Sequence, residues 1–111
     1  METVKIHKHS FDPGEWPFQD PVNTAVISTR QVFRLGYPIL RVCHDTDGDW
    51  QILCGTTNDT SDAMVVCLGC AYQKDRTIGS LADLPTGWAA YRKKPGSKWI
   101  RERREEEPED L

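Results

Sequence analysis

A chain of 111 residues, 38% hydrophobic and 28% charged, has the length of one domain and buries roughly two-thirds of the surface its unfolded form exposes. The net charge of −3 argues against a basic nucleic-acid module, and no stretch approaches the ~20 apolar residues of a membrane-spanning helix. The charge is uneven: seven Lys/Arg against eleven Asp/Glu in residues 1–91, seven against one in 92–104, and five acids with no base in 105–111.

The opening METVKIHKHSFDPGEW has no apolar core, so no secretory signal is expected. The expectation is a cytoplasmic protein whose four cysteines stay reduced. The sequon Asn58-Asp59-Thr60 then carries no meaning. Residues 1–23 read as an arm: Pro13, Pro17 and Pro21 oppose a regular element, while Phe11, Trp16 and Phe18 pin it to the domain. Ala25–Ser28 reads as a strand. Thr29 caps a short helical turn through Leu35, and Gly36 stops it.

Ile39–Cys43 and Trp50–Cys54 are two apolar, β-branched runs joined by Asp45-Thr46-Asp47-Gly48-Asp49. Asp-Gly is a hairpin turn signal, because Gly accepts positive φ. Alternation places Leu40, Val42 and His44 on one face and Ile39, Arg41 and Cys43 on the other. Trp50, Ile52 and Cys54 share a face. Neither strand is cleanly two-sided, which predicts a central pair covered on both faces. Thr56–Asp62 is a polar loop, and Met64–Leu68 is the next strand. Gly69–Lys74 either continues it or turns into helix. Ser80–Leu84 reads as a helical turn capped by Ser80 and stopped by Pro85. Gly87–Arg92 is a last strand with Trp88, Ala90 and Arg92 on one side. Lys93–Ser97 is a turn, Trp99-Ile100 docks back, and Arg101 onward reads as frayed helix or disorder. The elements predict one small α+β domain over residues 24–100: a largely antiparallel sheet of about four to five strands with one or two short helices. The arm precedes it, and a charged tail, 101–111, follows.

Cys67-Leu68-Gly69-Cys70 forms a CxxC, with Cys43 and Cys54 upstream. Four thiolates can hold zinc tetrahedrally. A zinc ribbon has two such knuckles, however, and this chain has one. Cys43 and Cys54 sit in apolar strands, where a thiol behaves as a small hydrophobe. Core cysteines and no cofactor are the expectation; zinc on Cys43, Cys54, Cys67 and Cys70 is the alternative. A redox role ranks last, because it needs the CxxC at a helix start and this one is read as following a strand. Cys43-His44 fails as a nucleophile and base, since adjacent strand residues face opposite ways and the other histidines, His7 and His9, lie in the arm. Asp45, Asp47 and Asp49 do not match a calcium loop: the Gly comes fourth rather than sixth, and Thr56 stands where Glu is needed.

The basic block Arg92–Arg104, with Tyr91 and Trp99, has the composition for phosphate contacts and base stacking. The acidic run after it competes for the same cations, so a salt-laced end is expected instead. Trp50 and Trp88 are expected in the core or a pocket wall. Trp16 and Trp99 lie in irregular segments, where they staple the termini or anchor a partner.

Three stretches carry a resemblance: Gly36–Val42 (GYPILRV), Asp47–Leu53 (DGDWQIL) and Leu81–Arg92 (LADLPTGWAAYR). Across about residues 24–99 the chain resembles a small bacterial family of domains of unknown function, some of whose members are predicted immunity proteins of polymorphic toxin systems. The resemblance implies an α+β sheet domain and brings no catalytic residues; the cysteines are not part of its pattern. The reading is a non-enzymatic protein-binding module, of the immunity-inhibitor type, that meets a basic toxin domain through Asp45, Asp47, Asp49, Trp16 and Trp99, with no membrane or nucleic-acid partner. Acidic groups would steer a basic partner. The small zinc-binding protein is the second reading, and an enzyme with a pocket lined by Trp50 and Trp88 the third.

Overall fold

The computed structural model describes residues 2–3, 11–12, 14–57 and 59–104. His7, His9, Pro13, Asn58 and the acidic end 105–111 lie outside the described residues.

The hairpin forms as its turn chemistry requires. Strand β3 (Arg41–His44) pairs antiparallel with β4 (Trp50–Leu53), Val42 standing opposite Ile52 and His44 opposite Trp50. The Asp45 and Gly48 N–H groups donate to the Asp49 and Asp45 carbonyls at 2.8 and 2.9 Å. Gly48 takes φ +93°, which a side chain would resist.

With β1 (Glu2–Thr3), β2 (Ala25–Thr29), β5 (Ala63–Cys67), β6 (Trp88–Tyr91) and β7 (Ile100–Arg103), the hairpin completes a seven-stranded sheet of order β1-β5-β2-β4-β3-β6-β7. β4 is the middle strand. The β1–β5 and β2–β4 pairings are parallel; the other four are antiparallel. The α+β class therefore holds, with more strands than the sequence suggested. Of β7, Ile100 was expected to dock back and residues 101–103 to be frayed helix or disorder. The segment is a strand because Tyr91 pairs with Ile100 and because its arginines reach carboxylates on the domain: Arg101 to Asp83 at 2.6 Å, and Arg104, just past the strand, to Asp45 at 2.7 Å.

Helix α1 (Arg30–Arg34) starts where the Thr29 hydroxyl accepts from the Val32 N–H at 3.4 Å. Helix α2 (Leu68–Lys74) follows β5 without a linker, Cys67 acting as its N-cap, so the segment 69–74 is helix and not continued strand. A 3₁₀ turn follows at Arg76–Leu81. Its cap is Asp75, which accepts from the Thr77 N–H at 2.9 Å. Ser80 lies inside the turn and donates its hydroxyl back to the Thr77 carbonyl, which corrects the expected cap.

Val32, Leu68, Ala71, Tyr72, Ile78 and Leu81 from these segments pack with Val26, Val42, Ile52 and Val66 of the sheet in one core. Burying each large apolar side chain contributes about 1.5–3 kcal/mol. Ile39 joins this core, against the face that alternation assigned it. The ladder begins only at Arg41, so period-two alternation does not reach back through Ile39 and Leu40. The arm docks on the same side: Phe18 is buried, Trp16 meets Phe11, Phe18 and Tyr72 at 5.3–5.5 Å, and the Tyr72 hydroxyl donates to the Glu15 carbonyl.

Candidate functional site

The hairpin is central, but the described helices cover one face only. The other face is set by register. Val65 stands beside Ile27, Ile27 beside Gln51, Gln51 beside Cys43, Cys43 beside Ala89, and Ala89 beside Glu102. A parallel row runs Leu53, Arg41, Tyr91, Ile100. An antiparallel sheet with one wet face normally turns polar on that face. This one stays largely apolar: Ile27, Leu53 and Val65 are half-buried, while Tyr91 is 37% and Ile100 47% exposed. Cys43 and Ala89 are buried, short side chains between longer neighbours in the ladder.

At one end of the face, the loop after β4 raises a wall. Thr57, Asp59 and Thr60 stand over Ile27, Gln51 and Leu53 and bound a shallow depression of about 430 Å³. The wall holds its own shape. The Thr57 hydroxyl donates to Asp62 at 2.7 Å, and the Ser61 N–H and hydroxyl donate to Asp59 and hold its carboxyl below the usual range.

The acidic turn stands at the other end of β4. Asp45 is occupied: one carboxylate oxygen takes Arg104, and the other takes the Gln51 amide at 2.9 Å. Asp47 uses one oxygen to accept the Asp49 N–H at 3.0 Å. Asp47 and Asp49 are exposed. Trp16 is packed in the arm's aromatic cluster, its indole N–H donating to the Asp20 carbonyl. Trp99 lies over the Arg92 guanidinium at 4.3 Å, half-buried, and its indole N–H has no acceptor among the described residues. The structure therefore does not bring Trp16, Trp99 and the turn together as one patch with the open face. The register across the seven strands of the sheet, which creates that face, has no local signature.

The four thiols do not converge either. Cys54 shares the core face with Trp50 and Ile52, Cys43 lies on the opposite face, and Cys67 and Cys70 sit together at the β5–α2 junction. Among the described residues no group of three or more His, Cys, Asp or Glu side chains could hold a metal ion. Burial raises the Cys54 thiol pKa, but the Thr56 hydroxyl and N–H and the Thr29 hydroxyl outweigh it and leave the thiol below its ordinary value.

Trp50 is buried, with its indole N–H donating to Asp20 at 2.6 Å and the His44 ring stacked on it at 3.8 Å. His44 Nδ1 is 2.7 Å from the Leu84 carbonyl oxygen, so Nδ1 carries the proton. Neither Trp50 nor Trp88 lines the depression at Ile27, nor a second one of about 350 Å³ beside Arg92 and Trp99. Three of the seven cations of the basic block are met by carboxylates of the domain: Arg92 by Asp75, Arg101 by Asp83, Arg104 by Asp45. Among the described residues no helix is long and apolar enough to cross a membrane.

No family model, curated protein or solved structure matches the chain.

Proposed function

We propose that this domain is a non-enzymatic protein-binding module that acts in the cytoplasm as an immunity-type inhibitor, covering a basic toxin domain. One observation carries the reading: the sheet face left bare by the described helices is largely apolar, with Tyr91 and Ile100 side by side and exposed across the β6–β7 pair. Arg41, Gln51 and Glu102 stand among these apolar groups, and exposed apolar side chains rimmed by polar ones are the usual mark of a docking face. Its aromatic and aliphatic groups supply the desolvated centre of an interface. The partner's charge follows from the balance of the chain. Residues 1–91 are net acidic, the turn carboxylates of Asp47 and Asp49 are exposed, and three arginines of the basic block are already neutralised internally. That distribution speeds association with a basic surface.

The test is capture with the full chain from its host, with the retained protein identified and then expressed alone and together with this chain. The expected result is a basic protein whose toxicity the chain relieves. Tyr91→Arg with Ile100→Arg is expected to weaken binding by at least ~30-fold, the scale of a lost hot spot. Asp47→Asn with Asp49→Asn should instead slow association and flatten its salt dependence. Undiminished binding by the Tyr91/Ile100 variant sinks the reading.

A further inference from the structure

We propose that Cys67 and Cys70 form a reversible dithiol–disulfide pair that exchanges with low-molecular-weight disulfides, a reactivity separate from partner binding. Their Sγ atoms lie 2.8 Å apart, inside ordinary contact, and the Cys70 N–H donates to Cys67 Sγ at 3.2 Å. A disulfide bond needs about 2.05 Å, so roughly 0.8 Å of approach separates the two states. The frame that holds them is firm. Cys67 ends β5 opposite Ala25, and the next two backbone N–H groups, of Leu68 and Gly69, donate to the Thr24 and Val22 carbonyls at 2.8 Å each. Closing the bond therefore needs a side-chain adjustment rather than a change of fold.

Access divides the roles. Cys67 is 2% exposed and Cys70 half-buried, whereas Cys43 and Cys54 are buried on opposite faces of the sheet. Cys70 is the entry thiol. Its thiolate attacks one sulfur of the small disulfide, forming a mixed disulfide and releasing the first small thiolate. Cys67 gives up its proton and attacks Cys70 Sγ. The protein disulfide forms, and the second small thiolate leaves. The dithiol loses two electrons and two protons; the small disulfide gains them as two thiols.

The full chain is equilibrated with oxidised glutathione, alkylated, and mapped by mass spectrometry. The expected result is loss of two of the four alkylatable thiols, both in the peptide carrying Cys67 and Cys70, and their return with dithiothreitol. Cys67→Ser keeps a residue that caps α2 well and is expected to trap a glutathione adduct on Cys70. Cys70→Ser is expected to lose adduct and disulfide alike. Four alkylatable thiols after equilibration, or a disulfide that persists in Cys70→Ser, would overturn the proposal. The wild-type map decides the question by itself if a variant does not fold.

Discussion

Asp75 Oδ2 lies 2.5 Å from Arg92 Nη2, and the arginine side chain is 2% exposed. The same guanidinium donates from Nε and Nη2 to the Ile39 carbonyl at 3.1 and 2.9 Å and from Nη1 to the Thr77 hydroxyl at 3.1 Å, under the Trp99 ring. One cation thus ties the end of β6 to the segment before β3, to the 3₁₀ turn and to the segment before β7. Burying a guanidinium is tolerable only while its charge is met. Removing one partner of a fully buried pair costs about 3–5 kcal/mol, and part of Asp75 is solvated, which reduces the figure. Asp75→Ala is expected to destabilise the domain by about 2–3 kcal/mol. A lower urea midpoint at unchanged slope would register it.

The same pair sets an acid limit. Burial raises the Asp75 carboxyl, but the Thr77 hydroxyl and N–H and the Arg92 guanidinium overcome it and hold the group below its ordinary 3.8. The folded value lies beneath the unfolded one. The contribution is therefore complete above about pH 5 and is lost as pH falls through the ordinary carboxylate range to the folded value. Wild type and Asp75→Asn should differ most near neutrality and converge in acid. Urea titrations at stepped pH check this; a gap that stays constant down to about pH 2 would show no such linkage.

Asp20 receives two indoles, Trp50 on its carboxylate at 2.6 Å and Trp16 on its carbonyl at 2.9 Å. Through it the arm is fastened to the middle strand. Trp50→Phe keeps an aromatic ring beside His44 and Phe18 but removes the donor and some volume. A hydrogen bond to a charged group contributes about 1.5–3 kcal/mol, and Asp20 is half-buried, so water can replace part of it. The expected loss for Trp50→Phe is about 2–3 kcal/mol by denaturant titration, with Asp20→Ala costing less, about 1–2 kcal/mol. Both variants should also be cleaved faster by a protease within residues 14–20, because the arm loses its anchor.

The hairpin, the Thr29 cap and the strands at Ala25, Met64 and Trp88 were legible because their signals are local: an Asp-Gly turn, a hydroxyl before a helical turn, β-branched runs. β7 was not, since Ile-Arg-Glu-Arg has no alternation of its own and owes its strand to Tyr91, Asp83 and, through the next residue, Asp45. The helix at Leu68 is too short for its period to show, and a cysteine is not a usual cap, so the CxxC read as trailing a strand. The 3₁₀ turn begins at Arg76, four residues before the Ser80 that was read as its cap, and Asp75 caps it through the Thr77 N–H. Arg92 shared a parity with Trp88 and Ala90, which pointed inward, but the run of cations around it read as solvated. The bare face had no clear signature, because each parity of the central strands mixes apolar and polar residues, Arg41, Cys43, Gln51 and Leu53 on one and Val42, His44, Trp50 and Ile52 on the other, and the helices mark which is the core.

Gly79 offers a test of how tightly the arm is seated. A Cβ built there would come 2.9 Å from Tyr72 Cε1 and 3.0 Å from Pro17 Cγ. The backbone of Gly79 needs no left-handed conformation, so alanine is refused by neighbours and not by φ. The Tyr72 ring is buried within the cluster of Phe11, Trp16 and Phe18 and has little room to yield. Pro17 is exposed on the arm, so the arm should give way first. Forcing a methyl group into a packed contact costs about 1–3 kcal/mol. Gly79→Ala is expected at the lower end, about 1–2 kcal/mol, because the arm can lift where the core cannot. Amide exchange should then rise in residues 14–18 while the β3–β4 hairpin keeps its protection. Equal loss of protection in the hairpin would mean that the arm and the sheet open together as one unit.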